Sequence, residues 1–205
     1  MRNDGMTLLE VMISLTIFTV VMGMLFLIST TLSSASASQD ARTYTQDEAR
    51  NAMQVIIREL RQAQSSSINW AGLPAAKITY RVATDLDGNG TAVNAGGFLE
   101  VSAVHTIGPD TTDLNHDGKT TTQLIFNDGV RTRVLSNDLL VNEDTNNNGV
   151  LDANEDRNGN KVLDRGIWFQ ASGTGIQVLL QTQRRPTLRS AFVNSTLRET
   201  VVPRN

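Results

Sequence analysis

Residues 142–166, NEDTNNNGVLDANEDRNGNKVLDRG, place oxygen-bearing side chains at alternate positions. Asp144, Asn146 and Asn148 are followed by Gly149, Val150, Asp152 and Glu155. Such oxygens converge on one centre where the backbone turns tightly, and a glycine permits the turn. The matching chemistry is capture of a hard cation. Calcium takes about six to eight oxygens at roughly 2.3–2.6 Å, and a loop of about twelve residues can supply them. The expected ligands are the side chains of Asp144, Asn146 and Asn148, the carbonyl of Val150, Asp152 directly or through water, and both oxygens of Glu155. Leu151 is expected to point inward and tie the loop to the core. The competing reading is a polar Asx-turn loop without an ion.

The stretch repeats itself with a period of twelve: Asp144/Asp156, Asn146/Asn158, Asn148/Asn160, Val150/Val162, Leu151/Leu163 and Asp152/Asp164 fall in register. The second copy offers Asp156, Asn158, Asn160, the Val162 carbonyl and Asp164. It puts Lys161 where the first has its turn glycine and Ile167 where the first has its glutamate, so it is expected to bind more weakly or to borrow ligands. Two half-loops, Asp85-Asp87-Asn89 and Asp113-Asn115-Asp117, have the opening triad and a glycine, with no carboxylate at the closing position.

A different kind of carboxylate stands in GMTLLEVMISLTIFTVVMGMLFLIST, residues 5–30. Val11 to Ile28 carries no charge, but Glu10 precedes it directly. At about 1.5 Å per residue such a helix matches a hydrocarbon core of roughly 30 Å. A carboxylate in that setting costs roughly 2.5–3.5 kcal/mol on insertion scales and usually has a partner. A cleaved secretory signal, a plain signal anchor with Glu10 at the headgroups, and a segment with a specific cation partner for Glu10 all remain open on the residues alone.

Other chemistries are poorly supplied. The chain has no cysteine, which excludes disulfides, thiolate metal sites and a cysteine nucleophile. Its net charge of −3 provides no bulk basic field for nucleic acid, and RTRV and QRRP read as solvated basic residues. His105 and His116 have no nucleophile elbow, H-E-x-x-H pattern or phosphate-cradling loop near them, so no enzyme and no small-molecule substrate are expected.

These residues need elements to hold them. Ala49, Ala52/Met53, Ile56, Leu60 and Ala63 recur at three-four spacing, the stripe of an amphipathic helix. With the apolar run this predicts one helix over about 6–64, loosened in the Ser/Thr/Ala stretch at 29–38. Strands are predicted at 77–83, 97–107, 122–128, 130–140, 167–173 and 175–185, with hairpin turns at 127–129 and 172–175. The tail 195–205 is expected to add an edge strand stopped by Pro203. The economical architecture is α+β, an antiparallel sheet packed on the second half of the helix.

The arrangement G-MTLLE-VMISLTIF, with Gly5, Thr7, Glu10 and the uninterrupted apolar run together, resembles the class III signal of type IV pilin-like proteins. Met6 stands for the commoner phenylalanine, and the leader MRNDG is less basic than usual. The resemblance implies cleavage between Gly5 and Met6 by a prepilin peptidase, N-methylation of Met6, and pairing of Glu10 with a neighbouring subunit's amine during assembly. It implies a pilin-like division into a leader (1–5), a transmembrane and filament-core helix (6–30), and the remaining half-helix with a β-rich head (31–205) carrying the loop insertion. IIRELRQAQ also looks like the helix end of PilW-like minor pilins and of J-type pseudopilins of type II secretion. The 144–155 loop resembles EF-hand, dockerin-like and thrombospondin-type-3 calcium loops, with flanks that read as strands. The expected function is a minor pilin of a type IV pilus with a calcium-stabilised head. The alternatives are a J-type pseudopilin and a calcium-dependent adhesin on a pilin stem. The implied partners are other pilin or pseudopilin subunits through the N-terminal helix, the peptidase and the inner membrane, with the head in the periplasm and later on the filament.

Overall fold

The computed structural model describes residues 7–110, 112, 113, 116, 118, 123–146, 148–157, 159–186 and 191–204. Its first element is one helix, α1 (Leu8–Gln62), without a break. The expected loosening at 29–38 does not occur. The hydroxyls of Thr30, Thr31, Ser34 and Ser38 donate to carbonyls three or four residues back, which keeps these polar side chains within the helix's own bonding pattern. Trp70 closes the segment after the helix by donating its indole N–H to the Ser65 carbonyl at 2.9 Å.

Seven strands follow: β1 (Ile78–Tyr80), β2 (His105–Pro109), β3 (Leu124–Asn127), β4 (Thr132–Ser136), β5 (Ile167–Ser172), β6 (Gly175–Arg184) and β7 (Val193–Val201). They form two antiparallel sheets rather than one, in the orders β1-β2-β3-β4 and β5-β6-β7. Both expected hairpins are present, and β7 is the edge strand expected at the tail, with Pro203 beyond its end.

Three strands are much shorter than the sequence suggests. The stretch 77–83 is a strand only over Ile78–Tyr80, because Val82 and Ala83 turn to isolated bridges with Ala63 and Val101. The stretch 97–107 becomes regular only at His105, because Gly97 takes φ 77° and the chain before β2 makes isolated bridges at Leu99 and Val101. The stretch 130–140 ends its strand at Ser136 because the chain changes sheets. The Glu48 carboxylate of α1 accepts the Asn137 N–H at 2.6 Å, and Leu139 then bridges to Thr182 of β6. The chain just after α1 is tied to the ends of both sheets, where Ala63 bridges to Val82 and Gln64 to Arg204.

The core sits between α1 and both sheets. Ala49, Ala52, Met53, Ile56, Leu60 and Ala63 are all buried, as the stripe predicts. They face Ile107, Leu124 and Phe126 of one sheet and Phe169, Val178 and Leu180 of the other. Burying a Leu or Ile side chain contributes about 1.5–3 kcal/mol. His105 stands edge-on to Tyr80 and Phe126, with ring centroids 5.4 and 5.6 Å away. It is a packed histidine.

Candidate assembly and metal sites

The four Asp-led loops share one hydrogen bond among their described residues. In each, the opening aspartate accepts the N–H of the residue five positions on: Gly90 to Asp85 at 2.8 Å, Gly118 to Asp113 at 2.7 Å, Gly149 to Asp144 at 3.2 Å, and Lys161 to Asp156 at 3.2 Å. All four donors lie in the left-handed region, at φ 84°, 79°, 78° and 59°. Three are glycine, which tolerates that region; Lys161 does not escape its steric cost. The repeat read in the sequence is therefore also a repeat of this turn, which Lys161 adopts where the first loop has glycine.

In the first insertion loop, Asn146 and Asn148 turn Oδ1 to backbone N–H groups two residues on and donate Nδ2 to Asp152 Oδ2, at 2.8 and 3.0 Å. Glu155 closes the loop. Its Oε1 accepts Thr145 Oγ1 at 2.6 Å and Thr145 N–H at 3.0 Å, and its Oε2 accepts Asp152 N–H at 3.3 Å. The Thr145 hydroxyl, helped by these backbone N–H groups and opposed by desolvation, holds the Glu155 carboxyl below its ordinary value. Val150 and Val162 expose their side chains. Leu151, expected to point inward, is half-buried and is not among the residues of the core cluster.

The second insertion loop has its glutamate after all, from an unexpected place. Ile167 is buried in β5. The closing role falls to Glu143, whose Oε1 accepts Arg157 N–H at 3.0 Å and whose Oε2 accepts Asp164 N–H at 3.4 Å. These are the bonds Glu155 makes, displaced by one repeat. Asn160 donates Nδ2 to Asp164 Oδ2 at 2.9 Å, as Asn148 does to Asp152. The signal was present in the sequence, since Asn142-Glu143-Asp144 recurs as Asn154-Glu155-Asp156. Glu143 and Glu155 are each 2 % exposed, Asp144 0 % and Asp164 3 %. The Asp85 half-loop is completed in the same manner by Glu100, whose Oε2 accepts Leu86 N–H at 2.7 Å. Asp85, Asp87 and Glu100 bring carboxylate oxygens within 4.8 Å of one another, and Asn89 bridges Asp87 and the Val93 carbonyl. Of the expected ligands, Asn115, Asp117 and Asn158 lie outside the described residues.

At the other end, every residue of α1 from 8 to 36 is exposed, about 43 Å of bare helix at 1.5 Å per residue. Among the described residues α1 is the helix long and apolar enough to cross a membrane. Its N-terminus is a capping box. Thr7 Oγ1 accepts the Glu10 N–H at 3.3 Å, and Glu10 Oε2 accepts the Thr7 N–H at 3.1 Å. The Glu10 carboxylate is thus held over the helix's first turn, where the macrodipole favours negative charge.

The prokaryotic N-terminal methylation motif matches residues 1–26. The chain carries a type IV pilin-like prepilin signal. Among curated proteins and solved structures, none matches the chain. The prepilin signal supports a pilin or pseudopilin-type role and suggests a structural rather than an enzymatic protein. It implies processing by a prepilin peptidase and assembly with other pilin subunits in a membrane-associated filament. With the bare apolar helix it fits a single-pass inner-membrane anchor. The processing residues Gly5 and Met6 lie outside the described residues, and Glu10 stands within the motif.

Proposed function

We propose that the chain is a minor pilin subunit of a type IV pilus, processed between Gly5 and Met6, with a head stabilised by calcium. The observation that carries the filament role is the single unbroken helix. Its residues 8–36 are exposed, while Ala49, Ala52, Met53, Ile56 and Leu60 belong to the head core. Such a helix offers an apolar surface to neighbouring subunits and transmits their packing rigidly to the head. Glu10, which caps the helix through the Thr7 N–H, would accept a neighbour's ammonium in the filament, and that would offset the cost of its burial.

Calcium is supported by the buried carboxylates of the double loop. Glu143 and Glu155 have no ion pair among the described residues and are met by neutral donors. These hydrogen bonds favour the charged form of Glu155, yet they leave the loops a net negative charge for a cation to offset. Asp144, Asn146, Asn148, Val150 carbonyl, Asp152 and Glu155 would hold one ion; Asp156, Asn158, Asn160, Val162 carbonyl, Asp164 and Glu143 would hold a second. Asp85, Asp87 and Glu100 form a weaker candidate set. A bound calcium supplies positive charge and fixes the loop; it carries no chemistry.

Deletion in the native host, scored for surface pili and for enzyme export, tests the assignment. Loss of piliation with export intact is expected. Export lost with pili intact would make the protein a J-type pseudopilin of type II secretion, and normal filaments that fail only in calcium-dependent attachment would make it an adhesin on a pilin stem. Mass spectrometry of the mature N-terminus should show methylated Met6, and an intact Met1 would remove the pilin reading.

A further inference from the structure

Arg165 follows Asp164, a ligand expected of the second loop, yet its side chain serves the first. Its Nη2 donates to Asp144 Oδ2 at 3.0 Å, and its guanidinium lies over the Trp168 ring at 4.5 Å. Its own N–H donates to Gln181 Oε1 at 2.7 Å, which anchors the backbone to β6. The group crosses the tight turn of the first loop closely: a Cβ at Gly149 would stand 3.2 Å from Nη2. Asp144, at 0 % exposure, is the carboxylate it neutralises. The equivalent aspartates Asp85 and Asp156 accept the same turn N–H and have no ion pair among the described residues. The arginine is therefore a feature of this loop and not of the loop form.

We infer that Arg165 is a built-in counter-cation of the first loop, holding Asp144 in place when no metal is bound and lowering the loop's calcium affinity by competing for that carboxylate. The inference rests on the calcium reading given above. Its physics is direct. A fixed guanidinium on Oδ2 repels a divalent ion approaching Oδ1 of the same group, and burial weakens the solvent screening of that repulsion. The same guanidinium spares the empty loop an unpaired buried charge. Stacking on Trp168 restrains the cation, so it does not swing away freely as calcium enters.

The test uses the full-length protein in detergent, titrated with calcium chloride by calorimetry and melted in chelator. Arg165→Met keeps the stem over Trp168 and removes the charge. It should bind calcium about tenfold more tightly at the first loop and melt at a lower temperature in chelator than the unaltered chain. Arg165→Gln, which keeps a donor for Asp144, should show the same rise in affinity with a smaller loss in the melt. Arg165→Lys, which keeps the charge, should stay near the unaltered affinity. Equal or weaker calcium binding by the Met and Gln variants, with the unaltered chain binding normally, overturns the inference and leaves the calcium reading standing. No calcium binding by any of the chains at millimolar concentration overturns both.

Discussion

The Glu143 carboxylate accepts the Arg157 N–H at 3.0 Å, across the first loop from its place in the chain. Glu155 accepts the Thr145 N–H at the same distance. The first loop is thus closed by its own last residue and the second by the residue that precedes the first, so the two form one unit. Glu143→Ala should leave the Arg157 and Asp164 N–H groups without their acceptor, at about 1–3 kcal/mol for a buried donor left unpaired. Calorimetry should show the second loop's calcium binding lost and the first loop's reduced by a smaller factor. Unchanged stoichiometry and stability would remove Glu143 from the site.

Glu10→Ala should leave the protein in the membrane fraction and keep it out of sheared filaments, measured by immunoblot of both fractions. Thr7→Ala, which removes the N-cap hydroxyl, should cost the helix terminus about 0.5–2 kcal/mol and reduce incorporation without abolishing it. Normal incorporation of the Glu10 variant would end the proposed role of the carboxylate.

Lys161 sits at φ 59° where its counterpart is Gly149. Lys161→Gly relieves a left-handed conformation costing roughly 1–2 kcal/mol, partly offset by the greater freedom of glycine in the unfolded chain. A net gain of up to about 1 kcal/mol is expected in denaturant melts, together with tighter calcium binding by the second loop as a positive charge is lost. A destabilised variant would show that Lys161 makes a contact worth more than its strain.

The Glu155 carboxyl is held below the ordinary glutamate value of 4.5, first by the Thr145 hydroxyl. A depressed folded value contributes stability that is complete above the unfolded value and disappears as pH falls through the folded one. In chelator, the head should therefore lose stability on acidification from about pH 4.5 downward. Thr145→Val should lower stability at pH 7 and make the acid-side loss smaller, as read by melts across pH. An unaltered pH profile would deny Glu155 this part in acid stability.

Much of the helix was legible in advance because its signals are local. An unbroken apolar run, Thr7 and Glu10 three residues apart, and a stripe at three-four spacing each depend on near neighbours along one helix face. The expected loosening at 29–38 does not occur because hydroxyls can bond their own helix as easily as they can disrupt it. The strand errors have a tertiary origin. Whether the chain after Ser136 continues its own sheet depends on Glu48, far away on α1, and on the free flank of β6 beyond β5.

The sequence by itself determined the prepilin signal, the helix and its buried stripe, the α+β class, and the twelve-residue repeat with its oxygen pattern. These follow from periodicity and spacing, which a linear chain displays directly. Only the tertiary structure decided that there are two sheets, that Glu143 closes the second loop and Glu100 the Asp85 loop, and that Arg165 lies on Asp144. Each joins groups brought near by folding, and a missing ligand in a loop's own sequence can be supplied by any carboxylate that the fold carries to the same N–H groups.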